Sequence, residues 1–281
     1  MMKRLLAFVV VAIALAAPVA HARGINASIS DTTPYQGDTL VVTLAGDSAP
    51  VSGSFDGAAV QFFAYRKASM AVIPIPAMKK PGSYPFSASF ADGAVFTRAI
   101  TVRAKKFVVV DLGIPKELGL TEKGLTTKLA EQKVDIDAAV KARTDKVYFN
   151  KSFGLPLANN TRFGSTFGET RKTGNSIIHH WGIDLSGPEG AAVGAMSGGV
   201  VKRVYADTVY GKVIIIDHGE GIYSLYMHLQ KQFVKEGDVV ERGKVIGLLG
   251  HTGYATGPHL HLSLKVNSVS VDPARFVMAF K

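Results

Sequence analysis

The chain of 281 residues contains no cysteine. That excludes disulfides, thiolate metal ligands and a lipid anchor of the bacterial lipoprotein kind, so an exported fold of this size must be held by its own core or by a metal ion. Beyond residue 20 no run is long and apolar enough to cross a bilayer, so no integral membrane segment is expected after the N-terminus. Dense Lys/Arg runs and basic motifs interleaved with aromatics are missing too. This argues against nucleic acid as a partner, although 32 Lys and Arg oppose 22 Asp and Glu for a formal net charge of +10. Anionic envelope polymers are the expected counter-charge, with a generally basic solvated surface as the alternative. Residues 24–105 lack histidine altogether, and nowhere does a His-Glu-x-x-His helix signature occur.

At the N-terminus, Lys3 and Arg4 precede an apolar run over residues 5–17, and Ala20-His21-Ala22 follows in the small-residue pattern of a cleavage site. Residues 1–22 are therefore expected to be a secretory signal peptide, shorter than a membrane span, which places the mature protein in the periplasm or outside the cell. The remainder reads as mainly β. Over residues 24–105, short runs rich in Val, Thr, Phe and Ala alternate with turn signals such as Gly46-Asp47, Asp56-Gly57 and Pro81-Gly82, the pattern of an N-terminal β-sandwich. Residues 106–149 change to Lys, Glu, Ala and Leu and read as a short, partly helical linker, with helices over 120–133 and 135–143 and Asp135 capping the second. Strands and glycines return over residues 150–281, expected to form a folded or partly closed antiparallel sheet.

Seven of the eight histidines fall between positions 179 and 261. A lone histidine is more often structural than a ligand, so spacing carries the argument. On a strand, His180, Gly182 and Asp184 would share one face, with the glycine leaving room for an ion. His259 and His261 would share another face, with Leu260 turned to a core. Ser224, Tyr226 and His228 would share a third, opposite Tyr223, Leu225, Met227 and Leu229. Three strands can thus aim histidines into one cleft. Imidazole nitrogens with one carboxylate suit zinc, and a set that leaves a tetrahedral position open is a catalytic set.

Several motifs recur here in a known order. Leu155-Pro156 is followed by the Ser165, Phe167, Gly168, Glu169 and Arg171 segment, then His180-Trp181-Gly182-Ile183-Asp184 and Tyr226-Met227-His228-Leu229. Gly250, Gly253 and Gly257 then lead to His259-Leu260-His261, and Asp272-Pro273 closes the series. Over residues 153–273 the chain resembles the LytM and lysostaphin-type zinc endopeptidases of bacterial cell wall. The resemblance implies one zinc ion held by His180, Asp184 and His261, with His228 and His259 as catalytic partners that orient water, shuttle a proton or stabilise the oxyanion. It also implies peptidoglycan as substrate, with a peptide bond of a stem peptide or cross-link hydrolysed through a zinc-activated water. The loops at 186–190 and 251–258 are expected to wall the groove, and Arg171 and Tyr226 are candidate substrate contacts, with a surface ion pair for Arg171 and packing for Tyr226 as the equal alternatives. His218 is expected in a turn, with the groove as its other placement, and His179 is expected to be structural. Ile178 and His251 stand where an arginine and a small polar residue are usual in the family. The alternatives are a non-catalytic peptidoglycan-binding regulator or amidase activator on the same fold, and a zinc-storage protein.

Overall fold

The protein is described by a computed structural model over residues 24–111, 121–150, 152–157, 162–173 and 176–280; the signal peptide expected at residues 1–22 lies outside these. The first strands are β1 (Asn26–Ile29), β2 (Thr39–Ala45), β3 (Pro50–Phe55), β4 (Ala58–Ala59), β5 (Phe63–Tyr65), β6 (Ala68–Pro74), β7 (Gly82–Phe90) and β8 (Val95–Val102). They form two four-stranded sheets, ordered β1-β2-β6-β5 and β4-β3-β7-β8. Side chains alternate along a strand, so Leu40, Val42 and Leu44 of β2 and Ala71 and Ile73 of β6 point one way, onto Phe55, Phe86, Phe90 and Ile100 of the other sheet. The expected sandwich is there. Val41, Met70 and Val72 point the opposite way and enter a second core with Phe149, Ile214 and Phe276. Burial on both faces is why Leu40, Val41 and Val42 of β2 follow one another without the polar alternation of a half-exposed strand.

The remaining elements are β9 (Val109–Asp111), α1 (Glu122–Ala139), β10 (Arg162–Phe163), β11 (Thr170–Thr173), β12 (Ser176–His179), β13 (Ile183–Ser186), β14 (Ala192–Gly194), β15 (Gly199–Asp207), β16 (Gly211–Gly219), β17 (Ile222–Gln232), β18 (Val239–Val240), β19 (Val245–Leu249), β20 (His259–Val266), β21 (Val269–Val271) and α2 (Pro273–Ala279). A ten-stranded sheet runs β10-β13-β20-β17-β16-β15-β18, with β19 joining β14 to β17 and β21 pairing with β20. Its pairs are antiparallel, as expected. A smaller sheet, β12-β11-β9, takes in part of the expected linker, because β9 pairs in parallel with β11.

The two short linker helices are instead one. Thr121 caps α1, its Oγ1 accepting from the Gly124 N–H at 3.1 Å, and the helix runs through Asp135 without interruption. No glycine or proline stands between Lys133 and Asp137, and these two residues form an i,i+4 ion pair across the expected break, which favours continuation over a new cap. α2, a helix not among those expected from the sequence, opens on Asp272 followed by proline at the first helical position. Asp272 Oδ1 caps it, accepting from Ala274 and Arg275. Arg275 then grips both oxygens of Asp38 at 3.0 and 2.8 Å, and Lys105 reaches Asp272 at 2.8 Å, so charged contacts rim the apolar junction between sandwich and ten-stranded sheet.

Candidate functional site

The cluster begins with strand register. β13 and β20 pair so that Asp184 faces His261 and Ser186 faces His259, while β17 places Met227 opposite His261 on the far side. Leu260 and Leu262 turn into the core, so His261 must turn out of it. His180 arrives differently from the expected strand. β12 ends at His179 and β13 starts at Ile183, leaving His180 on a connecting bend anchored by backbone hydrogen bonds to Gly168 and Glu169, both 2.8 Å. Gly182 makes room for a ring more than for an ion: a Cβ there would stand 2.6 Å from His261 Nε2 and 2.6 Å from the Leu262 carbonyl oxygen.

His180 Nε2, Asp184 Oδ1 and His261 Nδ1 converge, with separations of 2.9 Å from each ring to the carboxylate and 2.8 Å between rings. The network around them settles where the protons are. His180 Nδ1 donates to the Thr166 carbonyl at 3.1 Å, which can only accept. Ser263 Oγ spends its hydrogen on the Trp181 carbonyl at 2.9 Å, so His261 Nε2 must donate to Ser263, also at 2.9 Å. With those nitrogens engaged outward, His180 Nε2 and His261 Nδ1 are the ring atoms left to face the carboxylate. Burial pushes His261 down to about 4 against the pull of Asp184. Burial would raise Asp184, but the two histidines hold it well below the usual carboxylate range. Imidazole nitrogens and a carboxylate oxygen brought this close are a donor set that a metal ion can replace protons in. They form the one His/Asp group of metal-binding geometry among the described residues.

Arg171, a candidate substrate contact in the sequence, donates from Nη2 to Asp184 Oδ2 at 2.8 Å and from Nε to Glu169 Oε1 at 2.9 Å. It thereby turns the other carboxylate oxygen toward the histidines. Tyr226 was the second such candidate and is corrected: its ring lies fully buried in the core, and its hydroxyl accepts from the Met196 N–H at 2.8 Å. The cause is a bulge. His228 has φ of 62°, and the register of β17 against its neighbours slips around it, so alternation shifts by one residue. Leu229 joins Tyr226 in the core, while His228 turns to the cavity side with Leu225 and Met227.

There, His228 and His259 pack with ring centroids 4.8 Å apart and planes tilted by 53°, and the His228 centroid lies 6.1 Å from that of His261. Each gives its Nδ1 hydrogen to a carbonyl, Thr252 and Gly257 respectively, both at 2.8 Å, which frees both Nε2 atoms. His259 Nε2 stands 3.8 Å from Asp184 Oδ1. Burial, then the neighbouring rings, push His228 down to about 3, so it is neutral at physiological pH.

The walls differ from expectation. Of the loops at 186–190 and 251–258, only Tyr254 borders the cavity of about 560 Å³ over the cluster, whereas α1 does so extensively. Glu189 and His251 pair with each other at 3.0 Å on the exposed side. His179 packs on Trp181 with centroids 5.1 Å apart, and Ile178 borders the cavity.

His218 is in neither expected place. It is fully buried in β16, with Nδ1 donating to the Gly198 carbonyl and Nε2 facing Ser224 Oγ, both at 2.7 Å. Burial pushes it down to about 4. A base depressed in the folded state leaves the unfolded chain binding more protons between pH 6.5 and 4, so stability is full above that window and is lost as pH falls through it. The expected loss is ~3 kcal/mol, by 1.36 kcal/mol per unit. Urea unfolding of wild type and His218→Gln should show the stability gap between them narrowing from pH 7 to 4.5; a constant gap refutes the assignment.

Residues 178–273 match the family described as peptidase family M23. The peptidoglycan DD-endopeptidase ShyA of Vibrio cholerae is 36% identical over 119 residues, 42% of this chain and 28% of the relative. The DD-carboxypeptidase/endopeptidase Mpg of Neisseria meningitidis is 38% identical over 117 residues, 40% of this chain and 26% of the relative. The chain thus matches about a quarter of the length of these curated relatives. A Pseudomonas aeruginosa protein assigned to peptidase M23 is 31% identical, and its crystal structure superposes with a TM-score of 0.63 over 88% of this chain and 96% of that one. With that relative covered almost end to end, and with the motif order and the fold in agreement, this chain belongs to peptidase family M23.

Proposed function

We propose that the protein is an exported zinc-dependent endopeptidase that hydrolyses peptide bonds in the stem peptides or cross-links of peptidoglycan. The observation that carries this reading is the convergence of three possible ligand atoms, from His180, Asp184 and His261, beside two imidazoles whose Nε2 atoms are free. The names of the curated relatives, which are peptidoglycan DD-endopeptidases and a DD-carboxypeptidase/endopeptidase, support the substrate class. A net charge of +10 suits an anionic envelope. We read residues 150–281 as the peptidase unit, 24–105 as a sandwich that buttresses it and 106–149 as their connection.

Zinc held by this set would polarise the scissile carbonyl and bring a water's pKa down to about 7. The chain's own residues do the rest. His228, neutral and fixed by Thr252, presents a lone pair at Nε2 that can take a proton from the attacking water. His259, fixed by Gly257, presents a second beside it, so the proton taken up by His228 can be passed on, directly or through His259, to the leaving amine. Asp184 is not available as a base, being committed to Arg171 and the two ligand histidines.

Digestion of purified sacculi with and without chelator tests the reading. Release of peptide fragments that stops on chelation is expected; no release from several wall types by protein carrying one zinc per chain refutes it and leaves a regulator on the same fold. Arg171 enters as a positioning residue. Arg171→Ala should weaken zinc binding 10–100-fold in a chelator competition, with Arg171→Lys recovering part of it. Unchanged affinity would return Arg171 to the list of substrate contacts.

A further inference from the structure

We propose that Lys265 forms a subsite for a carboxylate of the peptide substrate, and that helix α1 keeps it closed by laying the carboxylate of Asp137 on its ammonium. This rests on reading the histidine cluster as a peptidase site. Along β20, His261, Ser263 and Lys265 share one face and border one cavity. Four residues of strand put Lys265 about 13 Å from His261, the reach of a few residues of extended peptide laid along the sheet. The space such a peptide would fill is bordered by Leu129, Ile136 and Asp137 of α1. The helix therefore stands where substrate must lie.

The contact has the chemistry of a substitute ligand. Lys265 Nζ meets Asp137 Oδ1 at 2.9 Å with its side chain only 11% exposed. A cation that nearly buried needs a counter-charge, so a ligand that displaces the helix must bring an anion of its own. Peptides of neutral or cationic character leave the ammonium unpaired. Burial would raise Asp137, but Lys133 and Lys265 hold it below the ordinary carboxylate range, so it is ionised. Asp137 also pairs with Lys133 inside α1, so the helix carries its own replacement cation when it leaves. The apolar hold is narrow: Ile136 packs against Leu225 and Met227, and Leu125 and Ile136 are the buried residues of the helix.

Trp181, the single tryptophan, lines the same cavity and reports on it. Zinc-loaded full-length protein is titrated with N-acetyl-L-Ala-γ-D-Glu-L-Lys-D-Ala-D-Ala and with the same peptide amidated at both carboxylates, following Trp181 fluorescence and hydrogen exchange in α1. The acid peptide is expected to bind at least tenfold tighter than the amidated one and to speed exchange across residues 122–139. Asp137→Asn should bind the acid peptide several-fold tighter than wild type. Lys265→Met should lose the preference, and Lys265→Arg should keep it. Equal binding of the two peptides by wild type, or unchanged exchange in α1 at saturation, overturns the proposal. Because neither readout needs turnover, a protein that passes these tests yet cuts no wall fails as a peptidase only.

Discussion

His261→Ala protein is expected to lose both zinc and activity, while His228→Ala keeps one zinc per chain and loses 10²–10⁴-fold in turnover. The difference follows from what each nitrogen faces. His261 Nδ1 lies 2.9 Å from Asp184 Oδ1 and 2.8 Å from His180 Nε2, so its removal leaves two donors and two further open positions. His228 stands one ring further out, 6.1 Å from the His261 centroid, with its Nδ1 hydrogen given to Thr252. Metal analysis together with initial rates on sacculi checks both halves. Zinc lost from His228→Ala protein would mean that the ring is a ligand, and the division of labour would fall.

Chelation should destabilise the fold as well as stop the reaction. Three possible ligand atoms lie within 2.9 Å of one another, and the carboxylate among them is buried, so an ion shared by all three would be bound by the folded chain alone. Metal bound only by the folded chain adds about 4 kcal/mol at a thousandfold excess over Kd, which for a chain of this size raises Tm by roughly 10 °C. Calorimetry with and without chelator measures this. Asp184→Ala should abolish the zinc-dependent part, and a zinc-independent Tm in wild type would show that these donors hold no ion.

How far such a site is legible in sequence depends on which geometry delivers each residue. Asp184 and His261 lie on regular paired strands, where period-two alternation is reliable, and Leu260 between the histidines points to the core as alternation requires. His228 defeats the same rule because one left-handed residue moves it to the opposite face, and nothing in Tyr226-Met227-His228-Leu229 announces a non-glycine residue with φ of 62°. Tyr226 was misplaced for that reason. His180, expected on one strand with Asp184, stands instead between β12 and β13, where alternation does not apply. The sandwich was readable from its turns. The course of α1 across the cavity was not, since charged residues that look like a solvated face, Asp137 among them, find their partner more than a hundred positions away in Lys265.

The double-faced burial of β2 and β6 bears on how this molecule can be taken apart. Val41, Met70 and Val72 belong to the same apolar cluster as Phe149, Ile214 and Phe276, so the seam between sandwich and peptidase sheet is core, not surface. A cut made there would strip cover from the rear of the sheet whose opposite face carries the histidines. The sandwich thus serves as the backing of that sheet, and the two cannot be separated without exposing core.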